Sequence, residues 1–212
     1  MSRPKPTWLY HFTHLNHLAS ITTDGLLSDG HAVEQGRITT EIGQPGIKEQ
    51  RRYRRVPCGP GGVVSDYAPF YYAPRSPMLY AIIHGRVASY TEGQEQLVYL
   101  VTTVERVIEL GVTPIFTDRN AVLAITRFTS DPADLDDLVD WPLMAIKMWN
   151  NTPDDPDRRE RRMAECLVHR QVPWEAFMEV LTIDQEHRQR AETILASVGH
   201  SIQVRTHPRA YF

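Results

Sequence analysis

The chain has 212 residues, 42% of them hydrophobic and 23% charged, with 23 Lys and Arg against 26 Asp and Glu and a net charge of −3. That length suits a single domain, residues 1–212, whose core needs neither disulfide nor structural metal. No apolar run approaches the ~20 residues of a membrane span, no apolar leader follows the charges of MSRPKPTWLY, and Cys58 and Cys166 are too few and too far apart for a disulfide framework or a thiolate zinc site; a cytoplasmic protein without membrane partners is expected.

Taken in chain order, WLYHFT (Trp8 to Thr13) reads as a short aromatic strand. A helix follows, with Asn16 as its cap, Leu18 and Ile21 on one face, and Gly25 at the left-handed position that ends it. From Gly30 to Gly62 the residues are polar, Gly, Pro and Arg with little periodicity, which reads as a long loop holding one short helical piece. Loops of that length are uncommon in compact domains unless they serve a function. Val63 to Pro74 reads as extended chain broken by prolines, and PMLYAIIHG as a helix with Pro77 in its first turn and Gly85 at its end.

LVYLVTTV (Leu97 to Val104) is the clearest buried strand, and VERVIELG a helix stopped at Gly111. PIFT is extended, Ala121 to Phe128 is a short strand or helix, and Asp131 to Asp140 is an acidic helix. WPLMAIKMW (Trp141 to Trp149) reads as an apolar helix, and Cys166 to Val168 and FMEVLTI as strands. QEHRQRAETILASVG is an amphipathic helix with Ala191, Ile194, Leu195 and Val198 as its stripe, before a closing strand IQVRTH. Strands and helices mix without a βαβ rhythm, and no Gly-rich phosphate loop follows a strand.

Charge is unevenly spread. Arg37 to Arg86 carries eight basic residues against three acids, densest in KEQRRYRR (Lys48 to Arg55), whereas Asp131 to Glu165 carries ten acids against five bases. A basic face can hold a phosphate backbone despite a negative total; a solvated, Arg-rich helix face is the plainer reading. His11, His14 and His17 invite a metal reading, but spacing of three spreads side chains around a helix, His11 lies in the strand, and no Cys or acidic cluster completes a ligand set. No metal is expected.

The strand ending in His-x-Thr, the short helix and Asp-Gly-Leu-Leu (His11 to Leu27) are similar to the first block of ADP-ribosyltransferases. SDYAPFYYAPRSPMLY (Ser65 to Tyr80), LVYLV, FTDRNA (Phe116 to Ala121) and RRMAECLV (Arg161 to Val168) follow in an order and wording that resemble the DarT family of DNA ADP-ribosyltransferase toxins, from His11 to about Trp174. The resemblance implies an α+β fold, the ADP-ribosyltransferase split β-sheet with flanking helices around an NAD cleft. It also implies NAD as co-substrate, single-stranded DNA as acceptor with thymine as the favoured base, and a macrodomain antitoxin as partner.

By the same resemblance Glu165 in RRMAECLV takes the place of the catalytic glutamate. One carboxylate suffices, because nicotinamide is a good leaving group and the ribosyl oxocarbenium needs a negative group against it; the alternative for Glu165 is an ion pair with Arg161 or Arg162. Arg51 is placed as the family's arginine, to neutralise the NAD pyrophosphate or hold the target base, since a planar guanidinium suits either. His11, Thr13 and Gly25 are placed at the nicotinamide-ribose end, and Tyr71 stacks on the nicotinamide, with a core tyrosine as the alternative. His14 and His17 are read as helix-surface residues.

Arg54, Arg75, Met78, Tyr80 and Asn120 are placed on the DNA side, where stacking and cations hold single-stranded bases; helix core is the alternative for Met78 and Tyr80, and a solvent-facing side chain for Arg54. Some family members carry His where this chain has Asn120. Thymine N3 must lose a proton to attack, and Glu165 or an arginine could assist. Transfer to RNA or protein, and a non-catalytic nucleic-acid-binding module built on the Arg51 region, are the competing functions.

Overall fold

The computed structural model describes residues 2–212. Its framework is one eight-stranded sheet. The strands are β1 (Trp8–His14), β3 (Tyr67–Tyr71), β4 (Leu97–Thr103), β5 (Ile115–Thr117), β6 (Phe128–Thr129), β7 (Glu165–His169), β9 (Glu179–Thr182) and β10 (Gln203–Thr206), in the order β10-β9-β4-β1-β3-β7-β5-β6. A two-stranded ribbon pairs β2 (Leu26–Leu27) with β8 (Gln171–Val172). Only β10 runs parallel to its neighbour; every other pairing is antiparallel. Mixed strands and helices with a mainly antiparallel sheet match the expected α+β class.

All seven residues of β4 are buried. The strand sits between β1 and β9 and is covered on both faces, which is why it reads as a continuous apolar run rather than an alternation. Val98 and Leu100 join a core with Leu9, Leu18, Ile21, Ala191 and Leu195 beneath the helices α1 (Leu18–Asp24) and α9 (Gln185–Ser197). Leu97, Tyr99 and Val101 face the other way, against Phe12, Tyr211 and the Leu79 and Ile82 side chains of α4 (Pro77–Ile83).

The sheet divides in the middle. β1 pairs with β4 over seven residues and β3 with β7 over five, but β1 and β3 share a single register, Tyr10 opposite Tyr71. Beyond that pair the two strands part, and the gap opens onto the site.

Several local expectations change. The 30–62 segment holds two helices rather than a loop with one helical piece. These are α2 (Asp29–Glu34), capped by the Ser28 hydroxyl, and α3 (Pro45–Tyr53), which starts on Pro45. Neither helix has a buried residue, so neither leaves an apolar stripe to read. Asn16 is not the cap of α1: the His14 imidazole accepts from the Asn16 N–H and caps the 3-10 turn Leu15–His17, and α1 follows directly with no side-chain cap of its own.

The acidic stretch forms a single 3-10 turn and α6 (Leu135–Leu138), after the short helix α5 (Val104–Glu109). The 141–149 helix is only α7 (Trp141–Ala145). There the Leu143, Met144 and Ile146 carbonyls turn to the buried Arg162 guanidinium at 2.8, 2.8 and 3.4 Å instead of continuing the helical ladder. Residues 121–127 are turns rather than strand or helix. Val198 lies 36% exposed, outside the buried stripe of α9, because that helix ends at Ser197.

Candidate active site

A cavity of about 560 Å³ lies where β1 and β3 part, within the ~300–1,000 Å³ usual for small-molecule sites. Strand β7 delivers Glu165 into it. The β7 alternation places Glu165 opposite Tyr71 of β3, on the edge of the division. Its backbone N–H donates to the Thr117 hydroxyl at 2.9 Å, and the Tyr72 hydroxyl donates to its carbonyl at 3.3 Å.

The Glu165 side chain is 1% exposed. Its carboxylate accepts from Arg51 Nη1 at 2.9 and 3.2 Å and from the Ala121 N–H at 3.0 Å. Arg161 and Arg162 are not its partners. Arg161 pairs with Asp140, Asp155 and Asp157 on the chain around the short helix α8 (Arg158–Arg161), and Arg162 donates to main-chain carbonyls. The ion-pair alternative for Glu165 therefore lies with Arg51 alone.

Arg51 reaches the carboxylate from the last turn of α3, and its Nη2 is buried with no partner among the described residues. A buried, unpaired guanidinium N–H is costly unless a ligand meets it. The Ala121 N–H is held by a turn that satisfies itself. Asp118 accepts from the Arg127 N–H and from the Arg119 and Arg127 side chains, and the Thr126 hydroxyl donates to the Asn120 carbonyl at 2.6 Å. Asn120 lines the cavity, but its Oδ1 accepts from the Val122 N–H within that turn.

On the β1 side, His11 Nδ1 donates to the Pro69 carbonyl at 2.7 Å, which fixes the tautomer and leaves Nε2 as the free acceptor. Burial lowers its pKa to about 4, despite the opposing hydrogen bond, so the ring is neutral at pH 7. Thr13 Oγ1 contacts His17 Nδ1 at 3.1 Å. Tyr71 lines the cavity, and burial raises its hydroxyl pKa, with the Glu165 charge adding to the shift. Gly25 ends α1 with φ 72° and lines the cavity floor; a Cβ there would stand 2.6 Å from the Val172 carbonyl.

Segment 35–44, between α2 and α3, lines the cavity as a strap. His17 Nε2 accepts from the Thr39 and Thr40 N–H groups, both at 3.2 Å; Arg37 pairs with Asp24, and Lys48 clamps Asp29 and Glu41. His14 and His17 are thus not surface residues. His14 is 1% exposed and packs edge-on against Tyr90, with Nε2 3.4 Å from Glu92, while His17 ties β1 to the strap. The three histidines of the first block face three different partners, and no group of three His, Cys, Asp or Glu converges among the described residues.

The cavity thus gathers His11, Thr13, Gly25, Arg51, Tyr71, Met78, Asn120 and Glu165. Three expected residues lie off it. Arg54 donates to the Ala121 and Ala124 carbonyls on the outside of the turn. Arg75 sits at φ 57° with its guanidinium 4.5 Å from the Phe212 ring, and Tyr80 packs among His84, Trp149 and Phe212. Sequence reasoning missed His17, Lys48 and the Ala121 N–H. The first two had only their residue types as a signal, and a backbone donor has none.

A sheet parted over a cavity, with one buried carboxylate on the strand beside the division, is the arrangement expected of an ADP-ribosyltransferase. A family model described as "ssDNA thymidine ADP-ribosyltransferase, DarT" matches residues 10–212. A DNA ADP-ribosyl transferase of Thermus sp. (strain 2.9) is 39% identical over 183 residues, 86% of this chain and 84% of that protein. The solved structure of Thermus sp. 2.9 DarT in complex with ADP-ribosylated ssDNA superposes with a TM-score of 0.92 at 33% identity, over 100% of this chain and 99% of that one. The same protein in complex with NAD+ gives 0.88 at 32% identity, over the whole of both chains. The chain belongs to the DarT family of NAD-dependent DNA ADP-ribosyltransferases.

Proposed function

We propose that this chain, acting as a single domain, breaks the bond between nicotinamide and ribose in NAD and transfers ADP-ribose to a thymine base in single-stranded DNA, releasing nicotinamide and the proton that the base gives up as the new bond forms. The observation that carries this reading is the Glu165 carboxylate, buried at the division of the sheet and held by Arg51 and the Ala121 N–H. A fixed negative group costs no reorganisation as positive charge develops on the ribose, which is where electrostatic catalysis is strongest. In this role Glu165 also accepts the ribose 2′-hydroxyl and orients the sugar.

The residues present suit NAD. The unpartnered Arg51 Nη2 can donate to a pyrophosphate oxygen or to the target base, His11 Nε2 and the Thr13 hydroxyl face the nicotinamide-ribose end, and Tyr71 offers a ring for the nicotinamide. Gly25 keeps the cavity floor free of a side chain. Met78 and Asn120, at the cavity wall, and Arg54, Arg75 and Tyr80, outside it, take the DNA. Single strands spare the enzyme the cost of extruding a paired base. A chain that modifies DNA acts in the cytoplasm in this reading, and a macrodomain antitoxin that removes the modification is its partner.

Labelled NAD offered with single-stranded DNA, RNA or protein tests the acceptor. Label in the DNA alone, absent with Glu165→Ala, is the expected result. Label in RNA or protein alone would overturn the acceptor, and DNA binding without label in any acceptor would make the chain a binding module.

A further inference from the structure

The most exposed aromatic side chain among the described residues is not in the site. Tyr53, the last residue of α3, is 75% exposed. It stands in the run Arg52-Tyr53-Arg54-Arg55, two residues beyond the arginine that holds Glu165. Arg54 and Arg55 have no carboxylate partner within 4.0 Å among the described residues, and Arg52 is tied only to exposed Glu49.

Arg54, the next residue in the chain, is linked to the site through one residue. Ala121 donates its N–H to the Glu165 carboxylate on the cavity side, and its carbonyl accepts from Arg54 Nε at 3.3 Å on the outer side. The Arg54 guanidinium also lies 5.5 Å over the Phe128 ring, and the outer face of the same turn exposes Ile125 (69%) and Arg127. A large exposed ring flanked in sequence by cations does nothing for the core.

We infer that Tyr53, with Arg55 and Arg52 beside it, is a second nucleic-acid subsite, where a base of the acceptor strand flanking the modified thymine stacks while the arginines take its phosphates. Stacking on an exposed ring is tolerant of base identity, and guanidinium groups track the backbone. The subsite therefore adds affinity for strand length rather than for sequence. The inference rests on single-stranded DNA being the acceptor, as proposed above.

The test uses the whole chain, a tetranucleotide holding one thymine, and a longer oligonucleotide of about 16 nucleotides that extends the same sequence on both sides. Binding is read by fluorescence anisotropy without NAD, and turnover by NAD-dependent label transfer. Tyr53→Ala should weaken Kd and raise KM for the longer strand about tenfold, equivalent to about 1.4 kcal/mol. It should leave the tetranucleotide and kcat unchanged, and Tyr53→Phe should retain wild-type values. Arg55→Ala should lower the slope of log K against log salt by about one for the longer strand only.

An exposed side chain leaves the melting temperature as the control for folding. Equal effects on both lengths, or none on either, would overturn the subsite, and a protein partner would then be the occupant to seek. A wild-type chain that binds the longer strand more tightly through Tyr53 yet transfers no label would refute the proposed reaction and leave the subsite standing.

Discussion

Replacing Glu165 by glutamine separates charge from shape. The wild-type carboxylate is 1% exposed and takes three hydrogen bonds, two from Arg51 Nη1 and one from the Ala121 N–H. Glutamine fills the same volume with one acceptor oxygen, and its NH2 must confront Arg51 Nη1 or the Ala121 N–H, donor against donor. Losing a single preorganised group against developing charge costs about 2.7–4 kcal/mol, or about 10²–10³ in rate. The group lost here is a full charge in a site that excludes most solvent, so a fall of at least ~10² is expected. It should appear in kcat rather than in KM for NAD, because the stabilisation is greatest in the transition state.

The variant should also be less stable. Removing one partner of a buried ion pair costs about 3–5 kcal/mol, and the lower end applies because Arg51 borders the cavity and is 13% exposed. Single-turnover transfer of label from NAD to single-stranded DNA measures the rate, and urea unfolding the stability. A Glu165→Gln rate within about fivefold of wild type, with the protein folded, would refute the charge-stabilising role.

Gly25→Ala puts a Cβ 2.6 Å from the Val172 carbonyl at φ 72° and ψ 173°, a region that costs non-glycine residues about 1–3 kcal/mol; denaturant unfolding should show a loss of at least that size, and unchanged stability would contradict the close packing of α1 on the β2–β8 ribbon. His11 should titrate near 4 by NMR. Because burial lowers its folded pKa from 6.5 to about 4, the unfolded chain binds the proton first; its contribution to stability is complete above about pH 6.5 and is lost as pH falls towards 4. The wild-type minus His11→Gln stability difference should fall across that window, and a titration near 6.5 would refute the buried ring. His17→Ala frees the Thr39 and Thr40 N–H groups; two hydrogen bonds of about 0.5–1.5 kcal/mol each imply faster amide exchange at both residues and a KM for NAD raised at least about fivefold and at most about 150-fold, and unchanged exchange would contradict the strap's anchoring.

The strands that were legible in the sequence are those whose own side chains face two covered surfaces. LVYLVTT shows as apolar without interruption because β4 is central, and α9 shows its Ala191 and Leu195 stripe because it lies on the sheet. Helix α3 was illegible because it buries nothing, although it carries Arg51 into the site. Glu165 and Arg51 were reached by resemblance to a family, since one Glu among ten nearby acids and one Arg among four carry no periodic signal. His14 and His17 were misplaced because the groups that bury them, Tyr90, Glu92, Thr39 and Thr40, lie more than twenty residues away. The division of the sheet is a property of the pairing between β1 and β3, which no residue in either strand announces.

Fragmenting the product shows where the ADP-ribose goes. A single-stranded oligonucleotide with one thymine is incubated with NAD and the protein, and tandem mass spectrometry locates any adduct. The expected result is one ADP-ribose on the thymine base, matched by one nicotinamide released. Nicotinamide released with the oligonucleotide unmodified, or an adduct on a phosphate or another base, would contradict it.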